Sequence, residues 1–330
     1  MKIKDEYFSK KQTDCLKAVF AFFVILSHIW AKIALDFNIN NFFIHNLGRV
    51  FSIMGYISVS IFLFLSGYGL FYQYKTKGTS YIEKFPKRNI LSLYVINICM
   101  ILFYSLFYCC QGKIFSFNEY LQSFLFGNTI IPFGWYLQVA VLFYILFWIS
   151  FKFTKSDKHK VSLLTALIII YCVLCHFVFE ISSTWYECSL CFVLGILFCM
   201  YKEKIDFFAS KCNYIFAYAL ALTLFAVLCF LGSSLETDVK IVLKVASTLA
   251  FCVVVVLTAM KTNLNNVLLS FFGSIYLEMY VLQGFSIKLF RSEVLYISNP
   301  YLYVLAVLVI TVILAKLSHP LFNRITRIFK

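Results

Sequence analysis

Apolar stretches that are each long enough to cross a bilayer recur along almost the whole chain. A transmembrane helix needs about 20 apolar residues, because a rise of ~1.5 Å per residue must cover a hydrocarbon core of ~30 Å. Charged residues concentrate in the gaps between the stretches. The stretches cover residues 15–35, 50–72, 90–110, 133–151, 161–179, 185–201, 213–232, 239–260, 269–289 and 300–318. The sequence therefore predicts an all-α fold, a polytopic transmembrane bundle of about ten helices.

The composition excludes an ordinary soluble domain. With 62% hydrophobic and 13% charged residues, the chain has too few solvating side chains to cover a globular surface, so lipid must cover much of it. The longest gaps, 36–49 and 111–132, are too short to hold a further domain. In the second gap, Phe117, Leu121 and Phe124 recur at helical spacing, which fits either a short amphipathic helix on the outer interface or a structured loop.

The distribution of cations predicts the orientation of the chain. Cytoplasmic loops retain Lys and Arg, and with the N-terminus inside, 22 of the 29 Lys and Arg residues fall on the inner side. The seven predicted on the outer side are Lys32, Arg49, Lys113, Lys240, Lys244, Lys288 and Arg291. Both termini are therefore expected in the cytoplasm, in a multi-pass protein of the cell membrane. The net charge of +14 follows from this topology and also attracts anionic lipid headgroups, so no nucleic-acid partner is expected.

The cysteines are expected to be structural. Most of the twelve lie inside apolar stretches without the spacing of metal ligands, so no metal site is predicted. The usage of Lys, Ile, Phe and Asn is typical of an AT-rich bacterial genome.

His28 is the clearest polar residue inside an apolar stretch. It follows Lys17 by eleven residues, which is three helical turns plus about 20° and a rise of about 16 Å. The two side chains should therefore share one helix face, with Lys17 near the cytoplasmic surface and His28 deep in the membrane. Intramembrane ionisable groups are costly and often functional, and an imidazole suits general-base work. A core histidine bonded to a neighbouring helix is the alternative interpretation.

The second stretch ends in a small-residue motif followed by a basic segment. Ser66-Gly67-Tyr68 offers a hydroxyl and a bare backbone, and small residues of this kind usually mark close helix packing. The segment that follows includes Lys84, Lys87 and Arg88. Its cations could bind phosphates, bind lipid headgroups or only set the orientation.

Two later stretches carry polar and aromatic groups. Trp135 and Tyr136 open the fourth stretch and fit an aromatic belt at the outer interface. In the ninth stretch Tyr276, Tyr280 and Gln283 make one polar stripe, whereas Glu278 points some 160 to 200° away from the two tyrosines, at ~100° per residue, and must meet a different partner.

A third group of polar residues near the predicted outer surface is interpreted as structural. His176 and Glu180 are one turn apart and could pair. Lys244 can snorkel, and Glu187 lies close enough to the surface to be hydrated.

Taken together, these features resemble the acyltransferase-3 family of membrane-embedded acyltransferases, whose members typically have ten helices. The resemblance covers nearly the whole chain. Its elements, in chain order, are Lys17 to His28, Phe62 to Tyr68, the basic segment that follows, Trp135 to Leu137, Leu194-Gly195 before a basic loop, and Ser274, Glu278 and Tyr280.

The resemblance implies that residues 1–330 form a single integral membrane acyltransferase-like domain. It would transfer an acyl group, commonly acetyl, from cytoplasmic acyl-CoA to a hydroxyl of a glycan or lipid-linked sugar. The catalytic residues would be His28 and Lys17: His28 would deprotonate the acceptor hydroxyl or relay its proton, and Lys17 would face the phosphates of coenzyme A. The donor would be bound by two groups of residues: the cations Lys84, Lys87 and Arg88, and the motif Ser66, Gly67 and Tyr68. The acceptor or supporting residues would be Trp135, Tyr136, Tyr276, Glu278, Tyr280 and Gln283.

The chain departs from the family pattern at three points. Lys17 stands where Arg is usual, which keeps the charge but loses the bidentate fork. Gln283 stands where the family often has His, and the basic segment lacks the usual Arg-x-x-Arg and proline pattern. A transporter or flippase for a polyprenyl-linked sugar or polysaccharide is the competing interpretation, and a non-catalytic partner of other membrane proteins in a cell-surface glycan pathway is a third.

Overall fold

The computed structural model describes residues 7–36, 42–125, 130–235, 238–293 and 295–329. Over these residues it is helical, with one isolated β-bridge between Arg291 and Tyr296. The helices are α1 (Lys10–Asp36), α2 (Phe42–Lys77), α3 (Thr79–Phe85), α4 (Ser92–Cys109), α5 (Phe117–Phe124), α6 (Trp135–Phe153), α7 (Asp157–Phe177), α8 (Leu190–Met200), α9 (Lys202–Lys211), α10 (Tyr214–Ser234), α11 (Asp238–Lys261), α12 (Val267–Ser274), α13 (Tyr276–Leu289) and α14 (Pro300–Ile328).

The number of membrane spans agrees with the prediction. Among the described residues, nine helical segments are long and apolar enough to cross a bilayer, and α12 with α13, bent by 71° at their junction, makes a candidate tenth. Each corresponds to one of the ten predicted stretches. The all-α, multi-pass fold class is therefore confirmed, and the cytoplasmic position of the termini stays a prediction.

Three boundaries differ from the sequence prediction. The ninth stretch is two helices rather than one, because Ile275 leaves the helical conformation (φ −115°, ψ 17°). The fourteenth helix continues through Pro320 to Ile328 instead of stopping near Ser318, since Phe322 and Ile325 remain buried there. Pro86 opens a π-helical segment, Pro86–Leu91, that joins α3 to α4; a wider turn accommodates the proline without ending the span.

The gap at 111–132 contains a helix, as one of its two interpretations predicted. Ser116 caps α5 by accepting from the Glu119 N–H while the Glu119 carboxylate accepts from Ser116. These hydrogen bonds to the charged form hold the pKa of Glu119 below its usual value. Phe117 and Leu121, one turn apart, are both exposed, so α5 presents an apolar face outward. The gap predicted at 36–49 is shorter, because α2 begins at Phe42; residues 37–41 lie outside the described part.

The chain divides into two compact units. Unit 1 comprises Met1–Phe20, Tyr56–Ile82 and Ile149–Gly273, and unit 2 comprises Ala21–Gly55, Glu83–Trp148 and Ser274–Lys330.

In unit 1, α2 and α8 approach at two glycines. A Cβ on Gly67 would overlap the carbonyl of Phe192, and a Cβ on Gly195 would overlap that of Phe64. Backbones can approach this closely only where side chains are absent. The packing interpretation of the Ser-Gly-Tyr motif therefore holds for Gly67.

The outer polar groups of unit 1 form other pairs than the sequence suggested. His176 bonds through Nδ1 to the Tyr186 hydroxyl (3.0 Å) and through Nε2 faces Asp238 (3.4 Å), so its expected pairing with Glu180 is wrong. The expected hydration of Glu187 is also wrong. Its side chain is only 1% exposed and binds Lys244 at 3.0 Å, since a buried carboxylate needs a cation.

In unit 2, Tyr104 joins α4 to α13. Its hydroxyl donates to the Val281 carbonyl and accepts from the Phe285 N–H, both at 2.8 Å. These two bonds fix the depth of α13 against α4, and α13 carries the polar stripe that the sequence singled out.

Candidate active site

His28 lies in unit 2 between a side chain of α13 and the loop before α6. Its Nδ1 is 3.0 Å from Oε1 of Gln283, and its ring stacks on Phe133 with centroids 3.9 Å apart and planes 10° from parallel. A polar contact on one side and an aromatic face on the other fix both the position and the rotation of the imidazole.

The hydrogen bonds of Gln283 define the tautomer of His28. The Gln283 amide nitrogen donates to the carbonyl of Tyr280 at 2.9 Å, which leaves Oε1 as the atom that faces His28. Since Oε1 can only accept, Nδ1 must carry the proton. The second ring nitrogen, Nε2, is then the one with a lone pair, as a general base requires.

Phe133 is held in an unusual backbone conformation. Its φ of 61° is in the left-handed region, which a bulky residue rarely adopts. The Tyr280 hydroxyl donates to the Phe133 carbonyl, and a Cβ added to Gly284 would come within 2.7 Å of Pro132. The Tyr280 hydroxyl and the close backbone approach at Gly284 therefore hold the loop in the conformation that places the Phe133 ring against His28.

Tyr136 extends this cluster. It is 2% exposed and packs edge-on against Tyr280 with centroids 5.2 Å apart. The interpretation of Tyr136 as part of an interfacial belt is therefore wrong, because the loop before α6 brings its ring into the protein interior. Trp135 lies beside it at the start of α6, half-buried.

A cavity of about 390 Å³ opens beside the histidine. His28 and Phe133 form one part of its wall, and three cations form another. The described lining residues are His28, Ala31, Lys32, Tyr108, Gln111, Phe133, Ile287, Lys288, Arg291 and Ser292. The base candidate therefore borders a space that a small molecule could enter.

The remaining residues predicted for the acceptor side lie elsewhere on α13. Glu278 is 5% exposed and its Oε1 is 2.7 Å from Nδ1 of His319 on α14. The expectation that Glu278 meets a partner apart from the tyrosine stripe is confirmed. Tyr276 lies one turn before Tyr280, and neither it nor Glu278 is among the described residues that line the cavity.

The residues predicted for the donor side fall in both units. In unit 2, Lys84 and Lys87 are exposed and Arg88 is half-buried. Lys87 borders a second cavity of about 500 Å³ whose other lining residues are mainly apolar. In unit 1, Tyr68 is buried, and Lys17 has its Nζ 3.4 Å from Asp14.

Comparison with known families decides the class of protein. A model of the acyltransferase domain matches residues 11–317. The chain belongs to the acyltransferase-3 family. No curated protein and no solved structure matches it. Family membership together with the transmembrane helices makes this chain a membrane acyltransferase. Among the described residues, no group of three or more His, Cys, Asp or Glu side chains could hold a metal ion.

Several residues of this acyltransferase's site escaped the sequence analysis. Phe133 was not predicted as a site residue, although Pro132 and Gly134 on either side of it mark a constrained loop. His319 was missed because it precedes Pro320, where the helix was expected to end. Lys32 and Lys288 were counted only as topology signals, and sequence alone could not show that they border one cavity.

Proposed function

We propose that this protein transfers an acyl group, acetyl in the simplest case, from acyl-CoA to a hydroxyl of a glycan or lipid-linked sugar, with His28 as general base. The observation that carries the proposal is the His28–Gln283 hydrogen bond, which requires the proton on Nδ1 and leaves Nε2 as a proton acceptor beside a cavity. Family membership supports the reaction class.

The chemistry follows from this tautomer. Nε2 accepts the proton of the acceptor hydroxyl as its oxygen attacks the thioester carbonyl. The carbon–sulfur bond then breaks, coenzyme A leaves as the thiolate, and the imidazolium returns the proton to it. Gln283 supplies a neutral acceptor to Nδ1–H, so it orients the ring without taking a proton itself. Tyr280 and Tyr136 support Phe133, which keeps the ring in place.

The donor would be bound by cations on the predicted cytoplasmic side. Lys17, Lys84, Lys87 and Arg88 carry the charge that the phosphates of coenzyme A require. With both termini in the cytoplasm, as the positive loops predict, the donor would come from that side of the cell membrane. Surrounding lipids and other membrane proteins of a glycan pathway would be its partners.

Removing two of these cations should weaken donor binding. We expect the double variant Lys87→Ala, Arg88→Ala to lose about tenfold in affinity for acetyl-CoA at low salt, and less at high ionic strength, where charges are screened. Isothermal titration of purified protein would measure this. The matched control is Lys155→Ala, Lys158→Ala, which removes two exposed cations from the same predicted side. Equal affinities for both variants and the wild type would exclude this segment as the donor site.

The activity itself can be tested with purified protein in lipid nanodiscs. Acetyl-CoA labelled in the acetyl group is supplied with cell-surface glycans from a strain lacking the gene, and mass spectrometry detects the acylated product. We expect acylated glycan and an equal amount of free coenzyme A. Movement of a lipid-linked sugar across the bilayer without any acylated product would instead support the transporter alternative.

A further inference from the structure

Three cations border the cavity that contains His28. Lys32 is on α1 one turn after His28, Lys288 is in the last turn of α13, and Arg291 follows that helix. Residues four apart lie on the same face of a helix, so Lys32 and His28 face the cavity together. No acidic side chain is among the described residues that line it.

Aromatic rings hold two of these cations in place. The Lys288 ammonium lies 4.6 Å from the centroid of Tyr108, and the Arg291 guanidinium lies 4.9 Å from that of Tyr296 and 4.8 Å from that of Tyr303. Such contacts stabilise a cation through the electron-rich face of the ring. The part of the cavity wall that contains Lys32, Lys288 and Arg291 therefore carries positive charge, and an anion in the cavity would be attracted to it.

The cavity wall also offers hydrogen-bonding groups beside the cations. Tyr108, Gln111 and Ser292 line the same space. Hydroxyl and amide groups of this kind bind sugar hydroxyls or the oxygens of a phosphate or carboxylate. The volume of about 390 Å³ lies near the lower end of the ~300–1,000 Å³ range of small-molecule sites, which suits a single sugar residue with its charged group.

We infer that the acceptor is an acidic sugar compound, and that Lys32, Lys288 and Arg291 bind its phosphate or carboxylate while its hydroxyl reaches His28. This inference rests on the proposed function and names its acceptor class. The anion belongs to the acceptor rather than to coenzyme A because all three cations fall on the predicted outer side. The cations assigned to the donor fall on the predicted inner side.

Direct binding separates this inference from catalysis. Purified protein in nanodiscs, without any acyl donor, is titrated with four labelled probes: methyl glucoside, methyl glucuronide, glucose 1-phosphate and coenzyme A. We expect an anionic sugar to bind at least about tenfold more tightly than the neutral glucoside. Lys288→Gln and Lys32→Gln should each remove roughly tenfold of that affinity, as expected for a charge-assisted hydrogen bond. Coenzyme A binding should stay unchanged.

Two variants make the result specific. Lys288→Arg keeps the charge and should retain the binding, which would show that Lys288→Gln acts through charge and not through misfolding. Lys240→Gln removes a cation from the predicted outer side that does not line the cavity, and it should bind as the wild type does. Preference for glucose 1-phosphate would identify a phosphate-bearing acceptor, and preference for the glucuronide an acidic sugar.

Three outcomes would overturn the inference: anionic and neutral sugars that bind wild-type protein equally, anion binding that survives both glutamine substitutions, or a loss of coenzyme A binding alone. The last would assign the cavity to the donor. A protein that binds the anionic sugar through these lysines but transfers no acyl group would contradict the proposed function and leave the anion site standing.

Discussion

Replacing His28 with alanine is expected to lower the rate of acyl transfer by roughly 10²–10⁴-fold, the usual contribution of a general base. The imidazole is the group whose tautomer Gln283 defines, and it borders the cavity where the acceptor would enter. Binding of acetyl-CoA should stay within a factor of two or so, since the donor cations lie elsewhere. Single-turnover acylation with purified protein, alongside a titration with acetyl-CoA, would measure both quantities.

Three further variants show whether the loss arises from proton transfer. His28→Gln keeps a hydrogen-bonding side chain of similar length but cannot act as a base, so it should be as inactive as the alanine variant. Gln283→Leu keeps the imidazole and removes its orienting partner, so an intermediate loss of about tenfold is expected. His176→Ala removes a histidine in the last turn of α7, in unit 1, and should leave the rate unchanged. A His28→Ala protein with wild-type turnover would disprove the general-base assignment.

The fold could be predicted from the sequence because lipid imposes a length and a polarity on each span. Ten apolar stretches became ten candidate spans on that basis alone. The break at Ile275 was not predictable in this way, since an apolar residue in an apolar stretch carries no signal for a bend. The end of α14 was predicted wrongly for the opposite reason. Proline usually ends a helix, but α14 continues through Pro320 because residues beyond it are buried.

Site residues could be predicted where their arrangement depends only on spacing along one helix. The spacing of Tyr280 and Gln283 placed both on one face of a helix, and the structure uses that face to hold the loop and the histidine. The other cavity residues were not predictable, because Phe133 and Lys32 come to the same cavity as α13 only through tertiary packing. Lys288 is the clearest example. It lies near the end of a span, where a lysine is already explained by its effect on orientation, so nothing in the sequence assigned it to a binding site.

The second large effect is expected at Gly67, where a Val substitution should prevent normal folding of unit 1. A Cβ at this position would overlap the backbone carbonyl of Phe192, and the reciprocal approach at Gly195 brings α2 and α8 together at a second point, so the two helices would have to separate to admit the side chain. Overlap with backbone cannot be relieved by a change of side-chain rotamer. We expect a cost of about 3 kcal/mol or more. It should appear as a sharp fall in the yield of monodisperse protein and in thermal stability.

Gly69 provides the matched control two residues along the same helix. Among the described atoms, none outside its own helix lies within 4 Å of a Cβ there, so Gly69→Val should be tolerated and even favoured by helix propensity.

A smaller substitution, Gly67→Ala, separates helix packing from donor binding at the Ser66–Tyr68 motif. If Gly67 serves packing, Gly67→Ala should lower thermal stability in proportion to its loss of activity. A Gly67→Ala protein with unchanged stability and weakened acetyl-CoA binding would assign this glycine to the donor site instead.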